Sequence, residues 1–439
     1  MTTVPCVTTD TTSPLLARRL ANAGAASILF YDKPLELVRG QGAWLEAADG
    51  TLYLDAYNNV PSVGHCHPKV VAAIAEQTAK LAIHSRYLHE IVESYLERLK
   101  ATFPSNLANI VLCCTASEAN DLAMRIAMRA TGRRGFIITE NAYHGSTLAT
   151  IDISPALWKR RGPPAYVRLV PPPSRRAYGD DITGGFTAAV AQAAAALEAD
   201  GLGLAAFICD SIFSSDGVLA DPPGFLGPVV ETVRAAGGLY IADEVQSGFG
   251  RTGAGMWGFQ RHGVQPDMVT MGKAMGNGYP VAGLAVRPEL LSQLCEDIVY
   301  FNTYAGNPVA AAAGLAVLDV IEQEKLIDNA AHQGAVLLAG IRDIVAGNPL
   351  IAEVRGAGFF IGVEFAGVEA PARVKAMVEG LRQRRVLIGT TGRHGESLKI
   401  RPPLCFSDKE VATFLAAFAD ALAEVTAAPN SPRTEPVPI

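Results

Sequence analysis

An α/β fold built on a mostly parallel sheet with helices on both faces, joined to a smaller α+β domain, is what the sequence predicts. Three observations carry it. Short continuous apolar runs, LAAFICDSIF (204–213), GLYIADEV (238–245) and DMVTMGK (267–273), alternate with helical stretches such as FTAAVAQAAAALEAD and FLGPVVETVRAAG. Strands buried on both faces of a parallel sheet read this way. Several runs end in turns that carry polar or charged residues, and in such sheets chemistry gathers beyond the carboxyl ends of the strands. After about residue 325 the texture shifts to a long helix, then VRGAGFFIGVEFA (354–366), another helix and ESLKIRPPLCFS (396–407), the pattern of a smaller α+β unit.

The elements follow in order. LVRGQGAWLEAADGTLYLDAY (37–57) alternates apolar and polar residues around Asp49-Gly50, a hairpin signal. KVVAAIAEQTAKLA (69–82) and IVESYLERLKATF (91–103) carry helical spacing. IVLCCTASEANDLAMRIAMRAT (110–131) reads as strand, small-residue turn and helix, and GFIITENAYHGST (135–147) as a strand entering a loop. The expected organisation is a flexible segment over 1–25, the first part of the small domain over 26–68, a large domain over 69–325, the second part of the small domain over 326–425, and a Pro-rich disordered tail over 426–439.

Composition narrows the function. The chain has 439 residues, 49% apolar and 18% charged, enough for a large core. A net charge of −6 gives no footing for nucleic acid. No apolar run approaches the roughly 18 residues of a membrane span, and MTTVPCVTTD lacks the build of a secretory signal. Seven cysteines without framework spacing suggest reduced thiols and a cytoplasmic address.

Three features fall at strand exits. CTASEAN (114–120) opens a helix, and the small residues Thr115, Ala116 and Ser117 leave backbone N–H groups and hydroxyls open, a phosphate cup on a positive helix terminus. Asp243 ends the apolar run GLYIAD, where a buried carboxylate needs a cation or strong donors. Lys273 follows DMVTMG and precedes a glycine-rich bend. Singly these read as a helix cap, a structural ion pair and a surface lysine. Together they suit a cofactor with a phosphate, a ring nitrogen that wants protonation, and an aldehyde: pyridoxal 5'-phosphate.

ADEVQSGFGRTG (242–253) and GKAMGNGYPVAG (272–283), with TASEAN, NAYHGST and FNTYAGNPVA, closely resemble the class III aminotransferases, pyridoxal-phosphate enzymes of fold type I, over residues 28–425. That resemblance implies a seven-stranded, mostly parallel sheet. It implies Lys273 as the Schiff-base lysine and Asp243 as partner of the ring nitrogen. Gln246 would donate to the ring hydroxyl, Val245 would pack on one ring face and Tyr143 on the other, with His144 lining the pocket. Thr303 would reach the phosphate of the neighbouring subunit's cofactor, so a homodimer, or a dimer of dimers, with shared sites is expected. The family's usual cup is NSGSEAN, so Ala116 replaces a glycine, and its usual Glu-Pro pair is Asp210-Ser211, with Asp210 expected to be structural.

Arg401 matches the arginine that in many members binds a substrate carboxylate. The glutamate that often gates it lies in EPIQGEAG; here the stretch is DSIFSSDG and Ser215 stands in its place. The resemblance then implies transfer from a primary amine or omega-amino donor to a small 2-oxo acid, pyruvate favoured, by a ping-pong cycle. YNNVPSVGHCHP (57–68), SRYLHE (85–90) and DISP (152–155) resemble a branch containing phospholyases, which eliminate phosphate and ammonia from phosphoethanolamine-type substrates and carry lysine at the position of Arg401; an enzyme acting on an aminophosphonate also sits near this branch. Tyr57 and Asn59 are expected to line the substrate pocket. Arg86 could bind a substrate anion or form a helix-flanking salt bridge. His65-Cys66-His67 and Cys113-Cys114 lack paired ligand spacing, so no metal is expected. A non-catalytic sensor is the rival from another class; the N-terminal extension is too short and too weakly basic for a DNA-binding module.

Overall fold

The computed structural model describes residues 13–427. Its centre is a seven-stranded sheet in the spatial order Asn109–Cys113, Ala282–Val286, Met268–Met271, Leu239–Asp243, Leu204–Cys209, Gly135–Thr139, Val167–Val170. Ala282–Val286 runs antiparallel to both neighbours and the other strands are parallel to one another. The sheet is thus mostly parallel, as the sequence predicts.

The side-chain period of two explains how it is covered. Phe136, Ile138, Ile208, Ile241 and Met268 face Leu122, Ala123, Ile126 and Ala127 of helix Ala116–Thr131. Their alternates Ile137, Phe207, Tyr240, Ala242 and Val269 face Phe186, Val190, Leu197, Leu226, Val230 and Val233 from helices Ile182–Ala199 and Leu226–Ala235. Both faces are dry, which is why these strands read as unbroken apolar runs. Two strands were not legible. Ala282–Val286 is a short run of mostly small residues behind a glycine bend, and Val167–Val170 is a partly exposed edge.

The expected hairpin forms: Trp44–Ala47 pairs antiparallel with Leu52–Asp55, and the Asp49 carboxylate accepts from Thr51 N at 2.9 Å while Gly50 takes φ +83°. Leu52–Asp55 then pairs in parallel with Val386–Leu387, so chain segments from both ends build one four-stranded sheet. A second sheet of four, Ile351–Ala357, Phe360–Phe365, Ser397–Ile400 and Gly389–Thr391, comes wholly from the C-terminal part. Within the stretch 1–25, read as flexible, Ser13 caps a helix at Pro14–Ala23 and Pro14 occupies its first turn, a start signal present in the sequence. Residues 1–12 and 428–439, which include most of the Pro-rich tail read as disordered, lie outside the described residues.

Candidate active site

All the parallel strands deliver their carboxyl ends to one edge, and five of those ends supply the cavity. Asn109–Cys113 leads to the helix start at Ala116, Gly135–Thr139 to Tyr143 and His144, Leu204–Cys209 to Asp210, Leu239–Asp243 ends on Asp243, and Met268–Met271 leads to Lys273. Ala116, Ser117, Asn120, Tyr143, His144, Gly145, Asp210, Asp243, Val245, Gln246 and Lys273 line one cavity of about 190 Å³.

Lys273 sits in a left-handed conformation, φ +38°, at the head of the turn Lys273–Gly276. A lysine there is locally strained. No protein group hydrogen-bonds its amine among the described residues. Burial pulls its pKa down to about 8, helped by the charge of Arg401 and opposed by Asp243 and Asp210. A neutral amine is therefore accessible near neutral pH.

Asp243 is 4% exposed. Burial would push its carboxyl up, but His144 Nδ1 at 2.7 Å, Asn120 Nδ2 at 3.0 Å and Val245 N at 3.2 Å all donate to it, and the net effect is a pKa below the usual range. It is a carboxylate held charged inside the protein. Asn120 is the member that sequence reasoning did not single out. The signal was present: it stands four residues after Ala116, one helical turn on, and so on the same helix face. Its amide also donates to His144 O at 2.8 Å, locking the strand-exit loop to the helix.

The helix start is organised by a capping box. Thr115 Oγ1 accepts from Glu118 N, and Glu118 Oε2 accepts from Thr115 N at 3.1 Å and Cys114 N at 2.8 Å. The N–H and hydroxyl of Thr115 are thereby engaged within the cap, and it is not among the residues lining the cavity. The amides of Ala116 and Ser117 keep no protein partner among the described residues. Gly145, φ +134°, leaves the mouth of this cup open, since a Cβ there would lie 2.6 Å from Ser117 Oγ. Ala116 is a helical residue, so its methyl costs nothing in backbone strain, and Gly272 makes room for it.

Arg401 approaches from the C-terminal sheet. Its Nε donates to Tyr57 O at 2.7 Å, its Nη1 donates to Gln246 Oε1, and its guanidinium lies 4.5 Å over the Tyr57 ring. That bond fixes the Gln246 amide with its NH₂ away from the arginine. Asn59 Nδ2 donates to Gln246 O at 3.0 Å and so positions that residue. Tyr57, Asn59 and Arg401 thus surround Gln246 rather than lining the cavity around Lys273. Arg401 forms no ion pair with a carboxylate among the described residues. Ser215 carries only backbone roles, its carbonyl accepting from Asn141 Nδ2, Thr391 Oγ1 and Gly392 N. Arg86 and Thr303 lie elsewhere: Arg86 is exposed with its guanidinium 3.8 Å over the Phe301 ring, and Thr303 is exposed two residues on. His65 and His67 pair with separate carboxylates, Asp55 and Glu324.

These features fit pyridoxal phosphate. The cup offers free amides for a phosphate, the charged Asp243 suits a protonated ring nitrogen, and Lys273 offers an amine.

Comparison with known proteins agrees. The family profile of the class-III aminotransferases matches residues 31–422. An alanine–glyoxylate aminotransferase 2-like protein of Drosophila melanogaster is 37% identical over 93% of this chain and 86% of its own length. An ethanolamine-phosphate phospho-lyase homolog of Caenorhabditis elegans is 34% identical over 90% of each chain. Among solved structures, an Arthrobacter phospholyase in complex with phosphoethanolamine superposes with a TM-score of 0.90 at 42% identity over 93% of this chain and 99% of that one. An (S)-enantioselective omega-transaminase from Thermomicrobium roseum gives 0.84 at 30% identity over 94% and 98%. The chain belongs to the class-III aminotransferase family, whose cofactor is pyridoxal phosphate.

Proposed function

We propose that the protein is an aminotransferase that moves an amino group from a primary amine or omega-amino donor to a small 2-oxo acid, with pyruvate favoured. Bound pyridoxal phosphate supplies an aldehyde for amines and a ring that takes up the electron pair released at the amine-bearing carbon. The observation that carries the reading is the Lys273 amine, drawn down to about 8 at the rim of a cavity that also holds the charged Asp243.

Each residue then has a task. Lys273 takes the proton from the carbon bearing nitrogen and can return it nearby, which a neutral amine near working pH can do. Asp243 would hold a proton on the ring nitrogen, its carboxylate kept aimed by His144 and Asn120. Ala116 and Ser117 amides take the phosphate. Val245 and Tyr143 would flank the ring, and the Gln246 NH₂ would donate to the ring hydroxyl. Arg401, with no carboxylate to gate it, takes the acid group of the second substrate.

The exposed stretch around Thr303 supports a homodimer. Phe301 is 43% exposed and Tyr304 75%, and on the neighbouring loop Tyr87 is 61% and Leu88 93% exposed. The rings of His84, Tyr87 and Phe301 and the Arg86 guanidinium form one contiguous patch. A second copy covering it would carry Thr303 and Arg86 to the partner's site. Cysteine usage points to the cytoplasm, although three relatives are mitochondrial by name.

The similarity to the Arthrobacter phospholyase favours a second reading, elimination of phosphate and ammonia from a phosphoethanolamine-like amine. One experiment separates the two. Holoenzyme is mixed with excess candidate amines, phosphoethanolamine included, without any oxo acid, and the cofactor spectrum is followed with ammonia and phosphate. A spectral change that stops after one equivalent per site, without ammonia, is the expected result. Continuous release of ammonia and phosphate would replace it with the lyase reading.

A further inference from the structure

Gln246 and Arg401 form one hydrogen-bonded unit at the border of the Lys273 cavity. Gln246 lines that cavity, and its Oε1 accepts from Arg401 Nη1. A guanidinium offers only donors, so the amide can meet it only through its oxygen. The Gln246 NH₂ is turned the other way and has no protein acceptor among the described residues. A second bond holds the backbone of the same residue: the buried Asn59 donates from Nδ2 to Gln246 O at 3.0 Å.

Arg401 is fixed from its other side before any substrate arrives. Its Nε donates to Tyr57 O at 2.7 Å, and its backbone N donates to Ala56 O at 2.8 Å. The guanidinium lies 4.5 Å over the Tyr57 ring. That ring cannot slide away, because Phe30 meets it edge-on at 5.4 Å and the bare Gly389 backbone sits where a Cβ would strike it at 2.1 Å. The nearest candidate carboxylate is spent elsewhere: Asp55 accepts from Tyr57 N at 3.0 Å and Asn58 N at 2.9 Å and pairs with His65 Nε2 at 2.7 Å. The Nη2 edge of Arg401 has no protein acceptor among the described residues. The arginine is thus tied to Gln246 at one edge and open at another.

A cation hydrogen-bonded to an amide oxygen changes what the amide nitrogen can do. Bonds to a charged group are about twice as strong as neutral ones. Away from water, successive bonds in a chain strengthen one another, each by about 10–30%. The guanidinium draws electron density towards Gln246 Oε1, so the Gln246 NH₂ becomes a stronger donor. An anion arriving at the open Nη2 edge would neutralise that pull and weaken the same donor.

We propose that Arg401 is a positioning residue for the cofactor: acting through Gln246, it aims and strengthens the donor that meets the ring hydroxyl, and a substrate acid docking on Arg401 is felt at that hydroxyl. Acid-bearing substrates and acid-free amines then meet a differently poised cofactor in the same site. The proposal rests on the contact between Gln246 and the ring hydroxyl in the reading above.

The test compares wild type, Arg401→Met, Gln246→Met and the double variant. Affinity is measured by fluorescence titration with pyridoxal phosphate and with its 3-deoxy analogue, which lacks only the ring hydroxyl. Loss of one hydrogen bond predicts that each single variant binds pyridoxal phosphate about two- to tenfold more weakly. The analogue should change by less than about twofold, and the double variant should be no worse than Gln246→Met, because both changes remove the same contact. Arg401→Gln should show the same selectivity for pyridoxal phosphate and stands in if the apolar variant does not fold. Wild-type holoenzyme gives a measurement that needs no variant. A weaker donor leaves the ring oxygen more basic, so saturating acetate should raise the pH midpoint of the visible spectrum. That shift should shrink to less than half in Gln246→Met holoenzyme. Equal losses for both cofactors in Arg401→Met, full additivity in the double variant, or an acetate shift that is absent or is undiminished in Gln246→Met overturns the proposal. Gln246→Met that weakens both cofactors equally would remove the ring-hydroxyl contact, and this proposal with it. The expected pattern in a holoenzyme whose cofactor no amine alters would keep the Arg401–Gln246 unit and overturn the amine reading instead.

Discussion

At the scale of a single residue, Lys273 carries two costs at once. Its backbone is left-handed and its amine is drawn out of water. Strain of about 1–3 kcal/mol persists only where the surroundings impose it. Here the strand before it and the packing of helix Pro308–Gln323 on the Lys273–Gly276 turn do so. The pKa of about 8 sets a testable slope. The neutral amine is the nucleophile, and its fraction grows as pH rises through that value. The rate at which apoprotein captures added pyridoxal phosphate should therefore climb with pH and level off above about 8. Stopped-flow absorbance across the range checks it; a profile that falls as pH rises would remove the amine from this role. Lys273 and Asp243 were legible as letters because each is an ionisable residue at the end of an apolar run. Asn120 was not, because what makes it matter is a neighbour from a distant segment, Asp243.

At the scale of an element, helix Ala116–Thr131 does two separable jobs. Its capping box stabilises the helix, and its next two amides form the cup. Thr115→Ala should lower unfolding free energy by about 1 kcal/mol, within the usual 0.5–2 for a lost N-cap, while cofactor affinity is largely kept. Gly145→Ala, at φ +134°, should cost stability and also reach the cup. Its methyl would press on Ser117 Oγ and Cα, and cofactor affinity should drop about tenfold or more, because 1.4 kcal/mol of clash already costs that much. Urea denaturation of the apoproteins and fluorescence titration with cofactor read the two effects. If Thr115→Ala weakens the cofactor as much as Gly145→Ala does, the division of labour is wrong. The sequence TASEAN shows both the cap and the cup, but not which hydroxyl serves which, since Thr115 and Ser117 differ only in where the helix begins.

At the scale of the molecule, the two ends of the chain are tied across the site. Leu54 N bonds to Arg385 O at 2.8 Å, and the buried Arg251 guanidinium reaches Phe359 O, Pro402 O and Ser62 Oγ. Loops carrying Tyr57, Gln246 and Arg401 are thereby fixed together. The patch of Tyr87, Leu88, Phe301 and Tyr304 is the part of the surface left to a second copy in the proposed dimer. Phe301→Asp should shift sedimentation towards the monomer and abolish turnover, with the circular dichroism spectrum unchanged. A variant that stays dimeric and active would refute the shared site.

The sequence by itself determined the parallel α/β core, since strands buried on both faces must be apolar throughout and each must end in a turn on the same edge. It also marked three candidate anchor points for the cofactor, because phosphate, ring nitrogen and aldehyde each demand one residue type at a strand exit. Tertiary structure alone decided the rest. The antiparallel strand Ala282–Val286, the pairing of Leu52–Asp55 with Val386–Leu387, and the meeting of Arg401 with Tyr57 and Gln246 join segments separated by tens to hundreds of residues. No local pattern encodes which distant segment will supply a partner. That choice is made by packing and by the demand that every buried polar group be satisfied.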